Sequence, residues 1–150
     1  MDKKTILENF AKAYQAERFP PISGKIIGLF MITAKRYLSF EEIQKELDIS
    51  KSALSKNLKL LIDLNRITYV KDAKNTRKRL FCIDIIGTKK HIYDIIKNFE
   101  FQNNLLEEAK KIRTKNNDDD DGIADFIDNS IAFSKNIIKE LNESIPKYFK

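Results

Sequence analysis

Residues 49–67 read ISKSALSKNLKLLIDLNRI, and the fold turns on how that stretch is sided. On a helical wheel of about 100° per residue, Leu54, Leu58, Leu61 and Ile62 fall within one arc, which Leu60 and Leu64 widen. Ser52, Ser55, Lys56, Lys59 and Asp63 take the opposite arc. Ser50 stands where an N-cap is needed, so the spacing predicts a helix from Lys51 to about Asn65. The leucines dock this helix. The short hydroxyls and lysines on its other side let a second molecule come close.

The flanking residues turn one helix into a motif. Upstream, Glu41 and Glu42 open a helix over EEIQKELD, because carboxylates are favoured in a first helical turn, and Asp48-Ile49-Ser50 break it. Two short helices either side of a turn of about three residues have helix-turn-helix spacing. Downstream, ITYV and LFCIDI are rich in branched and aromatic residues and predict a hairpin around KDAKNTRKR. Lys71, Lys74, Arg77, Lys78 and Arg79 surround a loop whose only acid is Asp72. Such a hairpin suits a wing laid along phosphates or reaching into a minor groove.

Outward from this centre the pattern is helical. Apolar residues at 6, 7, 10, 13 and 14 predict an amphipathic helix over residues 3–17, ended by Pro20-Pro21. A second helix follows, apolar on nearly all sides from Ile26 to Ala34, with Gly24 and Gly28 forming a smooth strip for a close neighbour. From Gly87 onward, Ile92, Ile95, Ile96, Phe99, Leu106 and Ala109 mark one long helix. Ile123, Ile127, Ile131, Ile138, Leu141 and Ile145 mark another, expected to stop at Pro146. Residues 21–86 are too few to bury both stripes, so the terminal helices are expected to pack on a second copy of the chain. The expected organisation is an N-terminal dimerisation helix (1–20), a DNA-binding domain (21–86) and a C-terminal helical dimerisation region (87–150). The fold class is mainly α: a winged helix-turn-helix with a small β-hairpin wing and N- and C-terminal dimerisation helices.

Composition narrows the function. The chain of 150 residues carries a net charge of +6, a mild pointer to a polyanionic partner. That charge is concentrated: residues 49–79 hold nine Lys or Arg against two Asp, whereas residues 87–150 hold eleven Lys or Arg against twelve acids. In helix-turn-helix proteins the N-terminal part of the second helix enters the DNA major groove. Lys51, Ser52, Ser55 and Lys56 occupy that part, where hydroxyls reach phosphates or base edges and lysines reach guanine or phosphate. Lys59, one turn later, suits the backbone, and Lys74, Arg77, Lys78 and Arg79 supply the wing. The expected partner is double-stranded DNA.

Residues 18–86 resemble the MarR-like winged-helix repressors, and specifically their GbsR-type branch. PPISGKIIGLFMI looks like that branch's leading helix, SFEEIQKELDISKSALSKNLKLL like its reader segment, and TRKRLF like its Arg-Lys wing followed by an aromatic. The resemblance implies a dimeric transcriptional regulator whose two reader helices bind a partly palindromic operator. It carries Ser50, Lys51, Ser52, Ser55 and Lys56 to the major groove and Arg77 with its neighbours to the wing. Two departures stand out: the wing loop has no glycine, and the chain beyond residue 87 matches no recognisable motif. Some relatives respond to choline-like osmolytes, but a cage for a quaternary ammonium needs converging aromatics and this chain has no Trp, so that ligand is not carried over. The residues name no effector.

Other chemistry is sparse. NDDDDGIADFID at 117–128 nearly fits a calcium loop, yet Asn stands first, Asp stands last in place of a bidentate Glu, and an acidic turn leading a helix is the reading adopted. His91 and Cys82 are each the only residue of their type, and neither joins a cluster with metal-ligand spacing. No phosphate loop, catalytic carboxylate pair or nucleophile motif is visible, so neither an enzyme nor a cofactor is expected. A lone cysteine, the absence of a signal-peptide core in MDKKTILENF, and an apolar run (26–34) far short of the roughly 20 residues of a membrane span lead to the expectation of a soluble, cytoplasmic protein. Two rivals to the regulator are a winged-helix protein-interaction module and an architectural DNA-binding protein without a ligand.

Overall fold

The computed structural model describes residues 1–116 and 122–150. Among these, six helices and three strands follow in the order α1 (Lys3–Ala16), α2 (Pro21–Ile32), β1 (Leu38–Ser39), α3 (Phe40–Leu47), α4 (Lys51–Asp63), β2 (Ile67–Lys71), β3 (Arg79–Ile83), α5 (Ile85–Asn116) and α6 (Ile123–Tyr148). They form two compact units, Met1–Thr88 and Lys89–Lys150. The first is a winged helix-turn-helix: α3 and α4 form the motif and the β2–β3 hairpin forms the wing.

In the first unit α2 is the hub. Pro21 occupies its first turn, where a missing N–H costs nothing, and Ser23, Ile26, Ile27 and Leu29 are buried. The neighbour that uses the glycine strip is α1 of the same chain. A Cβ on Gly24 would stand 2.5 Å from the Phe10 carbonyl oxygen, and one on Gly28 would stand 2.8 Å from the Phe10 ring. Leu7 of α1, Ile26 and Leu29 of α2, Ile43 of α3, Leu54, Leu58 and Leu61 of α4, Ile67 of β2 and Phe81 of β3 share one core.

The extended piece before α3 is a third strand. Leu38 pairs with Phe81 and Ser39 with Leu80, so the sheet order is β1-β3-β2, antiparallel throughout. Helix α3 begins one residue earlier than its acidic pair suggests, because Ser39 caps it. The Glu42 N–H donates to Ser39 Oγ at 3.2 Å, and the Ser39 N–H donates to the Glu42 carboxylate at 2.8 Å, a reciprocal capping box. Asp48, in the left-handed region at φ 49°, is the C-cap of α3, and Asn65 at φ 57° follows the C-cap of α4.

The second unit is a helical hairpin made of most of α5 with α6. Ile96, Ile127, Ile131 and Ile145 are buried, and the Ser134 hydroxyl donates to buried Asn103 at 2.5 Å. Lys110 pairs with Asp128 and Lys135 with Glu107 across the same seam. Two boundaries differ from expectation. Helix α5 starts at Ile85 because Asp84 caps it: its carboxylate accepts from the Gly87 N–H at 2.7 Å. Helix α6 does not stop at Pro146 but runs through it to Tyr148. In the last turn of the helix the proline forfeits one donor, and the Phe149 N–H still closes the turn on the Ile145 carbonyl at 2.9 Å.

Candidate nucleic-acid interface

Helix α4 is sided as its sequence dictates. Leu54, Leu58 and Leu61 are buried, while Lys51, Ser52, Ser55, Lys56 and Lys59 are exposed. Two leucines at the edge of the apolar arc depart from it: Leu60 is half-buried, and Leu64, the C-cap, is exposed. The Ser50 hydroxyl accepts from the Ala53 N–H at 3.2 Å and lies 3.3 Å from the Ser52 hydroxyl, so two of the candidate residues form one small hydroxyl cluster at the start of the helix. Lys59 is paired with Asp63 at 2.7 Å on the solvent side. An exposed pair of this kind is weak and yields readily to a stronger anion.

The wing turns without glycine and without any left-handed residue between 72 and 78. Side-chain oxygens supply the turns. Asp72 accepts from the Lys74 N–H at 3.0 Å, Asn75 accepts from the Arg77 N–H at 3.2 Å, and the Asp72 N–H donates to the Lys78 carbonyl at 2.9 Å. The one acid of the loop is thus engaged by backbone. Lys74, Arg77, Lys78 and Arg79 are all exposed. The Arg79 guanidinium stands over the Tyr69 ring, 4.5 Å from its centroid, and Tyr69 in turn leans on Phe81 at 5.9 Å.

Reader helix and wing meet in one groove of about 560 Å³. Ser55 and Lys59 line it from α4, Arg77, Lys78 and Arg79 from the wing, with Tyr69, Phe40 and Glu41 between them. Half of the candidate residues are therefore brought to one concavity. Ser50, Lys51, Ser52, Lys56 and Lys74 do not line it; the first four lie on the N-terminal end of α4 and Lys74 on the wing loop.

Three features escaped the sequence reading. Asn57, on the leucine side of α4, is buried and bonded to Ser23; its wheel position between Leu61 and Leu64 was the available signal. Tyr69 props Arg79, which cross-strand register alone does not reveal because the two lie on paired strands but not opposite each other. Glu41 brings a carboxylate to a basic groove, and its place in a first helical turn gave no hint of this.

Asn117, Asp119 and Asp121 of the acidic stretch lie outside the described residues, while Gly122 (φ 78°) is the N-cap of α6 and Asp125 lies in its first turn. Cys82 is buried on β3, and burial pushes its thiol pKa up against the opposing pull of Arg36, which disfavours a reactive thiolate. Among the described residues no three His, Cys, Asp or Glu side chains gather as metal ligands, and no helix is long and apolar enough to cross a membrane.

No known protein family's sequence profile matches the chain, and no curated protein matches it. Solved structures do. The crystal structure of a transcriptional regulator aligns over 99% of this chain and 98% of its own, at 14% identity and a TM-score of 0.70. The reduced form of MarR from E. coli aligns over 93% and 90% at 11% identity and a TM-score of 0.45, and a MarR mutant from E. coli complexed with operator DNA over 57% and 58% at 15% identity and 0.44. The first likeness, at near-complete coverage, establishes that the chain shares that regulator's fold; the other two are too loose to add to it.

Proposed function

We propose that this chain is a sequence-specific DNA-binding transcriptional regulator, a homodimer that represses from a partly palindromic operator, of the MarR-like, GbsR-type kind. It works by binding, not by catalysis. The observation that carries the reading is the shared groove, in which Ser55 and Lys59 of the helix and Arg77, Lys78 and Arg79 of the wing face one space. A duplex offers two parallel features, a groove edge and a phosphate backbone, and this surface has a part for each. Its fold is shared with a solved transcriptional regulator, which supports the same reading.

In this proposal Ser50, Lys51, Ser52, Ser55 and Lys56 face the major groove. Lys59, Lys74, Arg77, Lys78 and Arg79 neutralise phosphate or enter the minor groove. Residues 21–86 carry the DNA contacts, and residues 1–20 and 87–150 the dimer. Phe101, Leu105 and Ile112 on α5, and Phe126 and Phe133 on α6, are each more than half exposed, an apolar surface that a second copy would cover.

The test is to incubate the purified protein with fragmented DNA of its own genome at near-physiological salt and sequence what stays bound. Recovery of a few promoter fragments sharing an inverted repeat supports the regulator. Uniform recovery leaves an architectural DNA-binding protein, and no recovery leaves a protein-docking module.

A further inference from the structure

Asn57 sits on the reader helix but faces inward, 6% exposed, and Ser23 of α2 is fully enclosed at 0%. The Ser23 hydroxyl donates to Asn57 Oδ1 at 2.8 Å, and Asn57 Nδ2 donates to the Ala53 carbonyl one turn back at 2.7 Å. Around this pair α4 docks through leucines of the common core. Aliphatic contacts are non-directional, so they set the rotation of a helix on its neighbour less sharply than an oriented bond does. A buried hydrogen bond is oriented in this way: it weakens steeply off-axis, and breaking it strands two desolvated polar groups.

The other end of the bond is equally well anchored. Ser23 precedes Gly24, whose missing Cβ lets the α1 backbone at Phe10 and Ala11 close on α2. Ser23 is therefore held from behind, and Asn57 is the point at which that rigidity reaches the reader helix. We propose that the Ser23–Asn57 bond fixes the roll of α4 about its own axis, and with it the directions in which Ser52, Ser55 and Lys56 point. Both are positioning residues for the readout, and the inference rests on the DNA-reading function proposed above. Magnitude makes the bond matter. A roll of about 20° carries a side-chain tip about 5–6 Å from the helix axis through about 2 Å, further than a base-edge hydrogen bond tolerates.

The test compares the wild type with Ser23→Ala, Asn57→Leu and the double variant Ser23→Ala/Asn57→Leu, which replaces the polar pair by an apolar one and so keeps the protein folded where a single change strands a partner. Three quantities are read: the affinity ratio between the recovered operator and a scrambled duplex, the salt dependence of scrambled-duplex binding, and hydrogen exchange of the α4 amides in the DNA-free protein. The expected result is that the folded double variant loses discrimination on the order of tenfold with its salt dependence unchanged, while α4 exchanges faster and α2 does not. A folded double variant with wild-type discrimination and wild-type α4 protection overturns the proposal. If the wild type itself prefers no duplex, the DNA-reading function falls, and the exchange comparison still decides whether the bond holds the helix.

Discussion

At the scale of single residues, the proposed interface divides into groups that read and groups that hold. Arg77 is exposed on the wing and its backbone is fixed by Asn75, so Arg77→Ala is expected to weaken binding to every duplex alike and to lower the salt slope by about one. Lys56→Ala, on the exposed face of α4, is expected instead to change which operator positions are preferred. Binding isotherms on operator and scrambled duplexes at several salt concentrations separate the two; a Lys56→Ala protein with unaltered preference removes that residue from the reader. Ser50 caps α4, so Ser50→Ala is expected to destabilise the first unit by about 1 kcal/mol, read by urea denaturation, independently of any DNA contact. Most of these side chains were legible in the sequence because exposure on a helix follows from spacing. Asn57 was not, because a polar residue inside a leucine arc takes its meaning from a partner 34 positions away.

At the scale of elements, packing and caps decide what each segment can tolerate. Gly24→Ala gains about 1 kcal/mol of intrinsic helix propensity. Its new Cβ, however, would meet backbone atoms at 2.5 and 2.8 Å, which cannot swing aside. The net expectation is a loss of about 1–3 kcal/mol from overpacking, seen as a lower urea midpoint; an unchanged midpoint would mean that α1 shifts freely on α2. The capping box of α3 makes a pH prediction. The Lys35 ammonium, and after it the Ser39 N–H, hold the Glu42 carboxyl below its ordinary value of 4.5. A carboxyl depressed in the folded state adds stability above its unfolded value and loses it as pH falls through the folded one. Stability is therefore expected to decline from about pH 4.5 downward, and Glu42→Gln to flatten that decline. Thermal melts between neutral and acid pH measure it. The box stands in the sequence as Ser39-x-x-Glu42 but was passed over in favour of the Glu41-Glu42 pair, and the pairing of Leu38 and Ser39 with β3 was not legible, since a two-residue strand has no periodicity.

At the scale of the whole molecule, the proposed homodimer sets the operator geometry. Two reader helices about 34 Å apart address half-sites one helical turn apart. Replacing Phe101 and Phe133, 61% and 68% exposed, by Asp is expected to yield a folded monomer by sedimentation and to halve the protected footprint on DNA. A dimer that survives both changes would put the interface elsewhere. Base is concentrated between residues 49 and 79 and balanced by acid beyond 87, which fits a division between a DNA-facing part and a partner-facing part.

By itself the sequence determined the helix-turn-helix, the hairpin, the siding of α4 and the placement of positive charge. These are local quantities, set by periodicities of 3.6 and 2 and by residues that cap or turn the chain over a few positions. Only the tertiary structure decided that α1 fills the glycine strip of α2, that β1 joins the wing sheet, that Arg79 lies on Tyr69 and that Ser23 reaches Asn57. Each joins segments distant in sequence or out of register with one another. Such contacts depend on how whole elements stack around the shared core, which no short window of residues encodes.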